Sequence, residues 1–401
     1  NISEIVMKLI KNINYKIFSV LALSALSQIV HAIPFTFEGR SLGMGGVSVA
    51  TADLATAAWA NPAMLTNQRP DDDFSLLIGA GAYARDEDDL KTDIDNFQAA
   101  DARYQAAEDA GDVAGAIQAT SDMANIIAGI DGKTAAADVT GVAAMGIAFD
   151  SFAMALSIRA DAIGASTVTN LSQTPVEVLD PTKNIVNIEG VIATEFGLSI
   201  AKNFQLFGKK TSLGIKPKVV DLQGFVYQES ISTIDSLDNV FDDGKKYDLG
   251  TFTSFDIGAS MELSDSFRLG LNIRNVITDE FDLDGKTLSF DTNSRIGAAY
   301  YNRFLTVAVD YDLTENKPLL ANPLYGCLST QYLAVGAEFN AFDFAQLRIG
   351  ARKNLADDIS DAAKDTALTA GVGFWLGFNL DIAATFTDNS VGAFLQTGFR
   401  F

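Results

Sequence analysis

The sequence predicts an all-β protein: a transmembrane antiparallel β-barrel of about 14 strands, with an N-terminal plug segment and one helical extracellular loop insertion. Three observations predict it. Downstream of Asp73 apolar side chains recur with a period of two, so that successive residues face opposite sides of a strand. Short and long connections alternate along the chain. Apolar residues are plentiful yet scattered, giving a mean hydropathy of +0.15 although 20% of residues are charged, with 27 Phe beside two Trp.

The N-terminus supplies an address. From Met7, the lysines Lys8, Lys11 and Lys16 form a positive region, Ile17 to Ile29 is apolar, and Val30-His31-Ala32 offers small residues for cleavage. Residues 7–32 therefore read as a signal peptide, with a mature start at Ile33. A membrane anchor is the alternative, but the apolar run is shorter than the ~20 residues that a spanning helix needs. No other apolar run approaches that length, so an exported chain is either soluble or held in a membrane by strands.

Residues 33–70 come next as a separate N-terminal segment. Gly39 to Leu65 is rich in Gly and Ala and nearly uncharged; Gly43, Gly45 and Gly46 cost entropy in a helix or strand, and Pro62 breaks both. Such residues suit a segment threaded into a crowded lumen. The barrel then occupies 71–401, with strands expected near 73–85, 138–150, 151–168, 184–202, 210–226, 246–263, 266–277, 289–301, 303–313, 329–341, 345–353, 366–377, 378–387 and 391–401. In the clearest case Phe267, Leu269, Leu271 and Ile273 share one face, and Arg268, Gly270, Asn272 and Arg274 share the other. A lipid-facing row and a lumen-facing row read this way.

Short turns are expected at Asp150-Ser151, Asn203 to Lys209, Ser264-Asp265, Asn302, Ala341 to Phe344 and Gly377, and long links at 86–137, 169–183, 227–245, 278–288, 314–328 and 354–365. Short periplasmic turns and long outer loops would put both termini in the periplasm of a Gram-negative cell, with the barrel in its outer membrane. Within the first long loop, 88–130, Leu90, Ile94, Phe97 and Tyr104 fall at helical spacing, followed after Gly111-Asp112 by Val113, Ile117 and Ile127. This reads as a helical hairpin capping the barrel mouth, or as a partner-binding arm.

Several function classes drop out. The only histidine, His31, leaves with the signal peptide, which removes His-dependent triads and His-metal sites. Cys327 is the only cysteine, so no internal disulfide framework exists. A net charge of −22 argues against nucleic acid and anionic lipid surfaces. Glu280, Asp282, Asp284, Gly285 and Asp291 have calcium-loop spacing, but the end positions carry the wrong acids and strands flank them. The predicted lumen charges are Arg159, Lys216, Lys218, Asp256, Glu262, Arg268, Arg274, Arg295, Asp310, Asp312, Glu338, Arg348, Arg352, Asp381 and Arg400. They read as a network that satisfies buried charge rather than as catalytic pairs. No enzyme, cofactor or metal is expected. Phe399 and the terminal Phe401 have the form of a recognition signal for the barrel-assembly machinery.

Gly39-Arg40, the glycines Gly43, Gly45 and Gly46, Asp53, and Asn61-Pro62-Ala63 with Leu65 resemble the N-terminal segment of the FadL-type outer-membrane transporter superfamily, most closely its TraF-like conjugal-transfer branch. The resemblance implies a plug made by this segment, with those residues as gate candidates. It implies an accessory outer-membrane role in conjugation or secretion, with components of those systems as partners. The alternative is passive transport of small hydrophobic molecules, against which stands the charged lumen.

Overall fold

The structure is a computed structural model that describes residues 38–67, 73–86, 89–233, 244–317, 329–342, 344–357, 366–388 and 390–401. The signal-peptide reading, His31 and Cys327 lie outside the described residues. In chain order the elements begin with α1 (Gly39–Gly43), α2 (Ala57–Ala60) and a 3-10 turn (Pro62–Thr66), then β1 (Phe74–Arg85), α3 (Leu90–Ala110) and α4 (Val113–Ile130). They continue with β2 (Thr134–Ala148), β3 (Ala153–Thr169), β4 (Ile185–Leu206), β5 (Lys209–Ser230), β6 (Lys245–Ser264), β7 (Phe267–Arg274), β8 (Asp279–Leu283) and β9 (Lys286–Phe290). Last come β10 (Asn293–Tyr301), β11 (Leu305–Asp312), β12 (Tyr332–Phe342), β13 (Ala345–Asn354), β14 (Thr366–Trp375), β15 (Asn379–Thr387) and β16 (Ser390–Arg400).

Fourteen of these strands close an antiparallel barrel, in which β1 pairs with both β2 and β16, and β7 pairs directly with β10. No described helix is long and apolar enough to cross a membrane. Closure leaves no strand edge unpaired, the condition that a lipid interior imposes on a β-structure. The outward rows are apolar and exposed: Val307 and Val309 on β11, Leu333 and Val335 on β12, Leu347 and Ile349 on β13, Leu395 and Phe399 on β16. Phe149, Phe152, Phe204, Phe207, Phe304, Phe344 and Phe401 crowd the short-turn end as an exposed aromatic girdle.

The wall is uneven. β4 and β5 run for 22 residues each, β7 and β11 for only 8. The surplus of β3–β5 rises at the long-loop end, where its outer face keeps apolar residues that lipid does not cover: Val168, Val186, Phe225 and Tyr227. Helices α3 and α4 cover them with Leu90, Ile94, Phe97, Met123, Ile127 and Ile130. The helical hairpin expected over the mouth therefore lies on the outer flank of the wall. Helix periodicity says which face is apolar, not which surface it finds.

The expected loop 278–288 is also different: it folds as the β8–β9 hairpin, a two-stranded sheet outside the barrel ladder. Asp284 and Gly285 both have positive φ, 51° and 83°, as a two-residue hairpin turn with right-handed strand twist demands. Of the carboxylates at calcium-loop spacing, Glu280 and Asp282 thus lie on β8, Asp284 in the turn and Asp291 beyond β9, and among the described residues no group of three or more His, Cys, Asp or Glu could hold a metal.

Candidate functional site

Residues 38–67 run inside the barrel, and nearly all are buried, including Leu42, Met44, Leu54, Trp59, Met64 and Leu65. Irregular backbone at this depth needs partners for its polar groups, and the wall supplies them. Asp310 Oδ2 accepts from the amides of Ser48 (2.7 Å) and Val49 (3.0 Å). Thr369 Oγ1 accepts from Gly45 N at 2.8 Å and donates to Gly43 O at 3.2 Å. Gln396 accepts from Gly39 N, Asn272 donates to Ala60 O, and Arg268 and Arg295 donate to Ala50 O and Gly46 O. Asn61 holds the segment to itself and to the wall, its Nδ2 donating to Val49 O (2.8 Å) and Ala259 O (3.2 Å) and its Oδ1 accepting from Ala63 N.

Glycines in the wall let the two backbones approach this closely. Gly214 pairs with Gly258 across β5–β6, Gly270 with Gly297 across β7–β10, and Gly336 with Gly350 across β12–β13. A methyl group added at Gly336 would sit 2.1 Å from Met44 O; at Gly258, 2.0 Å from Asn61 Oδ1; at Gly270, 2.4 Å from Val49 O; at Gly214, 2.4 Å from the Pro62 carbonyl carbon. The wall thus carries a rail of missing side chains that matches the course of the segment. On the segment's own side, Gly45 and Gly46 turn at φ 77° and 95°, and an added methyl at Gly45 would meet Val335 O at 2.5 Å.

Charge surrounds this contact. Arg40 makes a bidentate pair with Glu338, which also accepts from Arg348 Nε at 2.8 Å; Arg348 Nη1 reaches Asp381 at 2.5 Å. Glu38 caps α1 by accepting from Arg40 N and Ser41 N, and its carboxyl is pushed up to about 7, first by burial and then by Asp53, with Arg40 opposing. Asp53 itself caps Thr56. A second group on β3–β6 joins Arg159 to Asp161 (2.7 Å), Lys216 to Glu195 (2.5 Å), and Lys218 to Glu195 (2.9 Å) and Asp256 (2.8 Å). A third pairs Arg295 with Asp312.

The charges inferred for the lumen stand in different settings. Glu262 and Arg268 pair near the short-turn rim, Arg400 lies over the Trp375 ring, and Arg352 lies over the rings of Tyr83 and Tyr332. Arg274 lines a small cavity with Arg159 and Arg295. Pro62 and Ala63 lie against the glycine rail, and Phe399 and Phe401 face outward, Phe401 stacked on Phe74. Asp161 and Glu195 were missed, although Asp161 stands two residues beyond Arg159 on the same face and the alternation could have flagged it. Thr369, Gln396 and Asn272 carry no charge and gave no signal.

Along its axis the lumen has four levels. At the long-loop end, inward Val220, Leu222, Val226 and Phe252 pack against Leu283, Leu288 and Phe290 of the β8–β9 hairpin. Beneath is a cavity of about 50 Å³ lined by Arg159, Glu195, Arg274, Arg295, Asp312 and Tyr332. The luminal segment follows. At the short-turn end a polar vestibule of about 330 Å³ is lined by Arg40, Asp53, Arg268, Arg348, Asp381 and Arg400. The first level is apolar, the luminal segment packs apolar side chains such as Trp59 and Met64 against the wall, and the cavity and vestibule are lined by charged and polar groups.

The family model described as "F plasmid transfer operon, TraF, protein" matches residues 58–312. The chain belongs to this TraF family. The matched span takes in α2, both hairpins and the wall through β11. No curated protein matches the chain in sequence. Among solved structures, the TodX deltaS2S3 mutant monoaromatic hydrocarbon channel is similar at 12% identity and TM-score 0.57, covering 91% of this chain and 99% of that one. The toluene transporter TbuX of Ralstonia pickettii gives 13% identity and TM-score 0.54, and the toluene transporter TodX of P. putida 12% and 0.54, each over 92% of this chain and 99% of that one. At these identities the likeness establishes a shared barrel fold and nothing further.

Proposed function

We propose that this protein is a passive outer-membrane channel for small hydrophobic molecules, with the long-loop end outside, both termini in the periplasm and residues 38–67 as its plug. The observation that carries the reading is the apolar level at the long-loop end, Val220, Leu222, Val226 and Phe252, which offers an apolar surface where a solute from outside arrives. The shared fold with barrels titled as toluene transporters supports it, and favours transport over the accessory role that the sequence alone suggested. The test is uptake of labelled toluene by cells whose outer membrane contains or lacks the protein. Uptake several-fold faster with the protein is expected; equal uptake at confirmed barrel abundance overturns the reading.

A second reading, an accessory of conjugal transfer, is supported by the family description and by the α3–α4 hairpin on the outer flank, whose Val113 and Ile117 are 70% and 62% exposed. Its test is transfer frequency in cells that carry a chain lacking α3–α4.

A further inference from the structure

The β8–β9 hairpin is built unlike the wall around it. Its two strands form a ladder only with each other, so lifting it breaks no barrel ladder. The middle of its inner face is apolar, between Asp279 and Lys286 at the two ends: Leu283 and Leu288 are buried, and Phe290 and Phe281 cluster with wall residue Phe252, with ring centroids 4.9 Å apart for Phe252–Phe290 and 5.6 Å for Phe252–Phe281. The wall beneath it is shaped for these groups. Gly224 leaves the space that Leu283 fills, a methyl there standing 2.4 Å from Leu283 Cδ1, and Val220, Leu222, Val226 and Phe252 complete a concave apolar patch.

The hairpin is fastened at both ends by polar contacts of different kinds. At its base Asn275 N donates to Asp256 Oδ1 (2.9 Å), Val276 N to Phe255 O (3.0 Å) and Ser254 Oγ to Ile277 O (2.7 Å), which ties the root to β6. At its tip Lys286 pairs with Glu189 of β4, and Tyr247 Oη donates to Asp284 Oδ1 at 2.7 Å. The root is held through backbone groups, with Asn275 buried and Ile277 half-exposed. The tip is held by side chains alone: Glu189 is buried beneath a partly exposed Lys286, and Asp284 is half-exposed. A strip rooted through its backbone on one side of the mouth and latched by side chains on the other moves at the latch.

We infer that the patch of Val220, Leu222, Gly224, Val226 and Phe252 is the entry site for a small apolar solute, and that the β8–β9 hairpin is a displaceable lid whose Leu283, Leu288 and Phe290 occupy that site in the solute's absence. This deepens the channel reading and rests on it for the identity of the solute. Lid and solute compete for one apolar surface, so the closed state keeps the patch out of water, and displacement exchanges one set of apolar contacts for another. The hairpin also borders the neighbouring polar cavity through Ser289 and Phe290.

The test locks the lid. In a Cys327→Ser background, Gly224→Cys with Leu283→Cys forms a disulfide between lid and β5, since a side chain begun at Gly224 meets Leu283 Cδ1 at 2.4 Å, verified by mass and reversed by dithiothreitol. Two readouts follow: toluene uptake in cells, and hydrogen exchange of amides 279–290 in the purified protein with and without toluene. Expected is uptake reduced at least tenfold when oxidised and restored on reduction, and lid exchange that toluene speeds at least tenfold only in the reduced form. Uptake unchanged by a verified lock, or lid exchange indifferent to toluene, overturns the lid. Should toluene speed lid exchange while cells take up none, the entry site stands and the channel reading falls.

Discussion

Arg40 and Glu338 meet in the plane of both groups: Arg40 Nε and Nη2 each donate to a separate carboxylate oxygen of Glu338 at 2.8 Å. This joins the first turn of the luminal segment to the middle of β12. Removing one partner of a buried pair costs about 3–5 kcal/mol, and because Arg348 also serves Glu338 the lower end applies. Arg40→Ala should speed hydrogen exchange of amides 39–46 by about 100-fold, as a tenfold change corresponds to 1.4 kcal/mol. Arg40→Lys should rescue it only in part, for an ammonium cannot span two oxygens. Unchanged exchange in Arg40→Ala would place the anchor elsewhere.

The glycine rail gives an opposite kind of test, in which a group is added. Gly336→Ala puts a methyl against Met44 O, and forced overpacking of this kind costs about 1–3 kcal/mol. Gly141 faces outward on β2 with nothing within 4 Å of an added methyl. Heat-modifiable gel migration should show both variants folded as barrels, with exchange in 43–46 raised only for Gly336→Ala. Equal exchange in the two would mean that the segment yields freely at this contact.

Asp310 takes two backbone amides of the segment on one oxygen. Asp310→Ala strands both donors in a buried site, a penalty of about 1–3 kcal/mol each when no water reaches them. Proteolysis of the intact barrel should then begin within 46–52. Resistance equal to the parent protein would show that those amides find other acceptors.

Glu38 makes anchoring depend on pH. Its carboxyl is raised from 4.5 to about 7 in the folded protein, so the protonated form is the one the fold favours. The stabilising contribution is full below pH 4.5 and is lost as pH rises through about 7. Asp53 and Asp381 push in that direction and Arg40 against it. Exchange of amides 39–44 should therefore quicken between about pH 4.5 and 7 beyond the intrinsic rate, and Glu38→Gln should abolish the excess. An excess that survives in Glu38→Gln would assign the titration to another group.

Helices α3 and α4 pack on the outside of the wall, so replacing 89–131 by a short turn should leave barrel migration and toluene uptake intact. The cost falls on solubility, because Val168, Val186, Phe225 and Tyr227 become bare. Loss of the barrel band would show that the helices are needed to build the wall.

Strand alternation was legible because lipid and lumen make opposite demands on neighbouring side chains, and it located the β7 and β11–β16 strands within a few residues. It failed where that contrast ends. Phe225 and Tyr227 face outward yet are buried by helices, and β5 continues beyond the expected limit of 226 to Ser230. The lid was hidden for a related reason: five-residue strands rich in Asp read as a loop, and only the Asp284-Gly285 pair marked the turn. Charged lumen residues announced themselves by type, Arg348 and Asp310 among them. The neutral anchors Thr369, Asn272 and Gln396 matter only through what lies opposite, which one strand's sequence does not contain.

The matched backbones carry an order of events. Residues 38–67 directly precede β1, and β1 shuts the barrel through its ladder with β16, from Leu76 opposite Phe399 up to Arg85 opposite Ser390. A finished cylinder offers no passage by which a chain could slide past Gly214, Gly258, Gly270, Gly336 and Gly350 into contacts that exclude even a methyl group. The inner segment is therefore in place before the final seam zips, and the wall is moulded around it as a cast around a core.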